Sequence, residues 1–444
     1  MSIQQLLLNI DELQSFSEQS LFTQHIPTEW IESALLLSTK TSIRRRRLPA
    51  DQVLWLVLGM AIFRNEPIEE VAQRLNICSE GLASECLLAK SGLSNARQRL
   101  GEAPIKWLFQ TTGNHWAQER SPKDDWHGLQ VYAVDGALFR TPESPELRDH
   151  FGSGNTPTNR QTPYPMLRLV ALMNTHSHIM MDAQISPYRR GEIPLAQSMM
   201  AKIPDNSITL FDKGFWSANL MLGLSQSGRN RHWLIPARSK LVYEVIDNYG
   251  HGDQLWKMKV SPQARKKNPN LPEYWQARAV TYEISGKAKT VLTTLPANKF
   301  SAEKVAELYH QRWEIELGFR DIKSSMQANA MTLRSKKVEL IYQEIWGMLL
   351  AYNVIRREAS LAAIEHKQRA CDIRFKMACQ YIASQLIVMS KAVPVSKTGM
   401  RLKELRSGIT NLFLDRSPSR PSRPRRVKMS KTRYPVNKRA APLK

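Results

Sequence analysis

The chain has 444 residues, 42% of them hydrophobic, and 63 Lys and Arg against 40 Asp and Glu, for a formal charge of +23. That length exceeds one ordinary core and suggests about three domains, and the apolar fraction excludes wholesale disorder. Charge of one sign repels itself in a compact fold and is offset by a polyanion; nucleic acid is the usual partner, and ribosome-associated or membrane-surface proteins can be equally basic. Cys78, Cys86, Cys371 and Cys379 lack Cys-x-x-Cys spacing and paired His, which argues against zinc and suits a reducing cytoplasm. The opening MSIQQLLLNIDELQSF has no basic start and early acids, unlike a signal peptide. The longest apolar run, VLWLVLGMAIF from Val53 to Phe63, falls well short of the roughly 20 residues a bilayer span needs. A soluble, cytoplasmic protein with no membrane partner is expected.

Residues 1 to about 120 read as helical. Pro49 can start a helix through VLWLVLGMAIF, since its missing N–H is spare in a first turn. IEEVAQRL makes a second amphipathic helix, and LSNARQRL a third that ends at Gly101. The last presents Asn95, Arg97, Gln98 and Arg99, which fits a helix-turn-helix unit with Arg97 and Arg99 on DNA, although Arg and Gln on a helix more often form a solvated face.

From about residue 126 the periodicity changes. LQVYAVD is a continuously apolar strand, MLRLVALMN and HIMMDAQIS form a hairpin, and a helix near Ile193–Lys202 leads into the buried strand ITLFD. SANLMLGLSQSG is helical and RHWLIPA is another strand. Three strands, helix, strand, helix, strand is the order of a ribonuclease-H-like α/β fold. Residues 238 to about 288 interrupt it with strand-like pieces and the basic PQARKKNPN, a β-rich insertion. KTVLTTL is one more strand, followed by a long helix over Ser301–Ser324 and the apolar VELIYQEIWGMLLAYNVIR, expected to pack on the sheet. From Ser417 onward, proline and cations without apolar periodicity predict a flexible basic tail. The expected domains are therefore 1–120, 126–360 with the insertion inside it, and 361–444.

Phosphodiester transfer needs charge neutralised on the entering and leaving oxygens, which two Mg²⁺ ions on carboxylates provide. Asp135 ends VYAV and precedes Gly136, whose missing side chain would let a DNA backbone approach; Asp212 ends ITLF and precedes Lys213 and Gly214. The first and fourth strands bring both acids to one end of the sheet, although an Asp after a strand can simply cap a turn. On the long helix, Tyr309, Arg312, Glu316 and Lys323 fall within an arc of roughly 60°, with Leu308, Ile315, Phe319 and Ile322 beside them as a buried stripe. Glu314 lies roughly 160° from Glu316 and is rejected as a ligand. An ordinary i,i+4 ion pair between Arg312 and Glu316 is the competing reading of that stripe.

The segment YHQRWEIELGFRDIK, with spacing Y-(2)-R-(3)-E-(6)-K, resembles the signature of bacterial insertion-sequence transposases of the insertion-element-four family. VYAVDGALFRTP, LFDKGFW, LRSKKVELIYQEIWGMLLAYNVIR and RRRRLPADQVLWLVLGMA extend the resemblance over most of the chain. It implies a DDE enzyme in which Asp135, Asp212 and Glu316 hold two Mg²⁺, with Mn²⁺ as a substitute, while Tyr309, Arg312 and Lys323 contact DNA phosphates. It also implies N-terminal helices on the terminal inverted repeats of the element, joining of cut ends to target double-stranded DNA, and a homodimer that pairs two ends. Some family members stack a flipped base on a Trp in the strand before the Glu helix; KTVLTTL has none, leaving Trp233, Trp256, Trp275 or Trp313 as substitutes or as core. The rival readings are a non-catalytic DNA-binding repressor and a nuclease that cuts without joining.

Overall fold

The computed structural model describes residues 25–38, 48–75, 77, 89–119, 125–154, 163–284, 286–328, 330–392 and 398–414. Expectations about residues 1–24, Cys78, Cys86 and the tail from Ser417 lie outside that set. Contacts group the chain to Phe413 as one unit and Leu414–Lys444 as another.

The described N-terminal helices are α1 (Thr28–Leu35), α2 (Ala50–Ile62), α3 (Ile68–Arg74), α4 (Lys90–Leu100) and α5 (Ala103–Gln118). Extended Pro49 directly precedes α2, which is buried from Val53 to Ile62 and so is apolar on every side.

The strands are β1 (Gln130–Arg140), β2 (Met166–Asn174), β3 (Met180–Pro187), β4 (Ser207–Phe211), β5 (Arg231–Pro236), β6 (Glu244–Gly250), β7 (Asp253–Lys259), β8 (Tyr274–Ile284) and β9 (Lys287–Thr293). They form one nine-stranded sheet in the order β3-β2-β1-β4-β5-β9-β8-β7-β6. β1, β2 and β3 run antiparallel, β4 lies parallel to β1, and β5 parallel to β4. This half is the ribonuclease-H-like sheet that the strand and helix order predicts. Every residue of β4 is buried, as a parallel strand covered on both faces requires. The β-rich stretch continues the same sheet, because β9 pairs antiparallel with β5 and carries β8, β7 and β6 outward. Between strands lie α6 (Pro145–Phe151), α7 (Glu192–Met199), α8 (Ala218–Gln226) and α9 (Pro262–Lys267), the last formed by the basic PQARKK.

The expected single helix over residues 301–324 is instead four pieces: α10 (Ala302–Tyr309), a 3₁₀ turn (His310–Arg312), α11 (Trp313–Asp321) and a π turn (Ile322–Met326). The π turn closes through Gln327 N–H donating to Ile322 O at 2.7 Å. A 3₁₀ turn advances about 120° per residue and a π turn less than an α-helix, so uniform helical arithmetic drifts along this segment. The apolar stripe survives the irregularity: Leu308, Ile315, Phe319 and Ile322 are all buried.

The 28-residue α12 (Val338–Glu365) departs from its expected place on the sheet and packs chiefly against α5 and α2. It meets the sheet at the edge strand β3, where Asn353 accepts from Met180 N–H at 2.9 Å and donates to Met180 O at 2.8 Å. The side chain thereby satisfies edge backbone groups that would otherwise lack partners. α5 approaches the same strand at Gly113, where a β-carbon would come 2.6 Å from Met180 O and 2.9 Å from Met181 O. α13 (Phe375–Ala392) and α14 (Thr398–Thr410) follow.

Candidate active site

The parallel ladder between β1 and β4 ends with Val134 opposite Phe211, so Asp135 and Asp212 are the next residue on each strand. Contrary to the expectation from sequence, β1 does not stop at Asp135. It runs on to Arg140 because β2 continues to pair with it, Asp135 opposite Ala171 and Arg140 opposite Met166, after β4 has ended. Asp135 Oδ1 accepts from Gly136 N–H at 2.7 Å. Asp212 caps the 3₁₀ turn Lys213–Phe215, its Oδ2 accepting from Gly214 N–H at 3.3 Å.

Gly136 needs a different explanation from the one its sequence suggests. The space over its α-carbon is filled by the Glu192 carboxylate, so the missing side chain accommodates α7 and not DNA. In the sequence, Glu192 is signalled by nothing but the glycine it packs against.

Glu316 projects from α11 and accepts from Arg312 Nη2 at 2.8 Å, while Arg312 Nη1 lies 3.9 Å from Asp135 Oδ2. One guanidinium thus spans two of the three acids. Arg312 itself is buried, with its Nε lacking a partner. Among the described residues, no three His, Cys, Asp or Glu side chains are drawn together closely enough to grip one metal ion. The donor set nevertheless suits a hard divalent cation, since it consists of carboxylate oxygens that interact with one another. The Asp135 carboxyl is pushed up to about 6, first by burial and further by the charges of Glu316 and Asp212, against the opposing Gly136 N–H and Arg312.

Tyr309 donates its hydroxyl to Phe211 O at 3.3 Å, anchoring the end of α10 to the end of β4, and burial holds its phenol above the ordinary range. Lys323 lies over the Phe139 ring at 5.2 Å; burial lowers its ammonium while Asp135 opposes that shift. Tyr309 thus meets the end of β4, Arg312 links Glu316 to Asp135, and Lys323 stands over Phe139 of β1. Glu314 points elsewhere and bonds His178 at 2.8 Å. Trp233, Trp256 and Trp275 are core residues, whereas Trp313 is 56% exposed with the Arg312 guanidinium 5.2 Å from its ring.

Arg97 is buried and does not lie on an open DNA-facing surface of α4. Leu93, Ala96, Arg97 and Leu100 form the buried stripe of α4. The Arg97 side chain donates to Gln343 Oε1 at 2.9 Å and Ser335 Oγ at 3.1 Å. Burial brings it down to about 10. It is thus a structural tie to α12, not a DNA contact on an open face. The spacing i, i+3, i+4, i+7 that identifies this stripe was present in the sequence. Arg99 is half-buried, and its backbone carbonyl accepts from Ser38.

Residues 126–354 match the family model described as "Transposase DDE domain", and residues 17–110 match "Insertion element 4 transposase N-terminal". The transposase InsG of insertion sequence element IS4 from Escherichia coli K12 is 36% identical over 418 residues, covering 93% of this chain and 92% of that one. InsZ of the same strain is 55% identical over 227 residues, 51% of this chain and 74% of that one. A cryo-EM structure of a piggyBac transposase synaptic complex with hairpin DNA aligns over 92% of this chain and 86% of its own, with TM-score 0.42 and 13% identity. That likeness is too weak to assign the fold, which the strand order assigns directly.

Proposed function

The chain belongs to the insertion element 4 family of DDE transposases, metal-dependent enzymes that cut and join DNA, and we propose that Asp135, Asp212 and Glu316 form its catalytic site. What supports this is the position of the two Asp residues at the end of the β1–β4 ladder, with Arg312 reaching both Asp135 and Glu316. These three acids would hold two divalent ions, Mg²⁺ with Mn²⁺ as a substitute. Bound there, the metals supply charge neutralisation at the attacking and leaving oxygens of an in-line displacement.

Arg312 offers a planar fork and Lys323 a point charge for the phosphates beside the cut, and Tyr309 holds α10 against β4 so that both are presented correctly. The N-terminal region, residues 1 to about 120, binds the terminal inverted repeats, with Arg99 among the contacts. Residues 126–360 carry the chemistry, and residues 361–444 add helices and a basic tail. Two chains pair the two ends as a homodimer in the bacterial cytoplasm, on the nucleoid when bound. No helix among the described residues is long and apolar enough to cross a membrane. Incubating the purified protein with element-end DNA and Mg²⁺ and mapping the products tests the reading: cleavage at the ends followed by joining supports it, and cutting without joining makes the protein a nuclease.

A further inference from the structure

Glu192 opens α7 directly after the Tyr188–Gly191 turn that follows β3. Its carboxylate is ion-paired with Arg168 of β2, whose guanidinium packs over the Tyr188 ring at 5.5 Å. A β-carbon on Gly136 would come 2.6 Å from Glu192 Oε1 and 2.8 Å from its Cδ. Glycine inside a strand weakens it, so its presence in mid-β1 marks a close approach, and here the approaching group is an acid. Arg168 stands opposite Leu138 in the β1–β2 ladder, and strand alternation puts Gly136 and Leu138 on one face of β1 and Asp135 on the other.

The peptide between Asp135 and Gly136 therefore has a carboxylate on each side. Gly136 N–H donates to Asp135 Oδ1, and Glu192 is seated against the α-carbon behind it. Glu192 lies on the face of β1 opposite Asp135 and is ion-paired with Arg168, so its route to Asp135 is the intervening backbone. We propose that Glu192 is a positioning residue for Asp135: it fixes the Asp135–Gly136 peptide, keeping Oδ1 on the Gly136 amide and Oδ2 turned toward Arg312. This rests on the reading of Asp135 as a metal ligand.

The test uses the full chain and Mn²⁺ alone as the probe, with binding measured by calorimetry for wild type, Asp135→Asn, Glu192→Gln and Gly136→Ala. Glu192→Gln removes the charge that Arg168 holds; Gly136→Ala keeps every charge and puts a methyl where the carboxylate sits. Both are expected to weaken Mn²⁺ binding by about 10- to 100-fold, the usual size of an outer-shell effect. Cleavage of end DNA should recover as Mn²⁺ is raised, and DNA binding in chelator should match wild type. Wild-type Mn²⁺ affinity in both variants, with Asp135→Asn impaired, overturns the role of Glu192 alone. If Asp135→Asn binds Mn²⁺ like wild type, the metal site lies elsewhere and the role of Glu192 falls with it. A uniform loss of cleavage at unchanged affinity, beyond rescue by metal, also overturns the proposal.

Discussion

Asp135 and Asp212 are register neighbours one step past the last rung of a parallel ladder, where β4 stops and β1 goes on with β2 alone. Their separation is therefore set by backbone pairing, and side-chain rotamers only refine it. Asp135→Asn and Asp212→Asn should each leave end-DNA binding within about twofold of wild type and reduce Mg²⁺-dependent cleavage at least about 100-fold. Gel-shift and cleavage assays on the same preparations check this, and retained cleavage removes the substituted residue from the site.

Asp135 also predicts a pH dependence. Its carboxyl is raised from the ordinary 3.8 to about 6, chiefly by burial. The protonated form is favoured by the fold, so this contribution is fully present below about 4 and is lost as pH rises through about 6. Without divalent metal, Asp135→Asn should be more stable than wild type at pH 7 to 8, by up to about 3 kcal/mol. The advantage should fade below about pH 4. Urea unfolding across that range measures it, and a pH-independent difference would remove burial of the charge as the cause.

Arg97 is tied to Gln343 and Ser335 inside the structure. Removing one partner of such a buried set leaves others unsatisfied, so Arg97→Ala should cost about 2–4 kcal/mol of unfolding free energy. The salt dependence of DNA binding should not change, because a buried guanidinium releases no counterions. A shallower slope at unchanged stability would return Arg97 to the DNA surface.

Gly113 faces the carbonyls of Met180 and Met181, which are backbone and cannot swing aside. Gly113→Ala should therefore destabilise the chain by about 1–3 kcal/mol through overpacking of α5 against β3. An unchanged thermal midpoint would mean that the helix can lift away without penalty.

The cations after Ser417 predict phosphate binding of their own. Ending the chain at Arg416 should reduce the slope of log affinity against log salt by about 0.9 for each phosphate that the tail neutralises. Unchanged slopes would mean that the tail does not touch DNA.

Much of this protein was legible in one dimension because its signals are local. Apolar runs of strand length, the breaks at Pro49 and Gly101, and the Y-R-E-K spacing report burial and backbone geometry over a few residues at a time, and they sufficed for the strand order and singled out three candidate acids. What they could not report depends on neighbours distant in the chain. β1 outlasts β4 because β2 supplies partners, Arg97 turns inward because α12 offers Gln343, and Gly136 makes room for Glu192 some 56 residues later in the chain. Periodicity describes which face of an element is apolar; which group meets that face is decided only when sheet and helices close on one another, and there Arg312 comes to lie between Asp135 and Glu316.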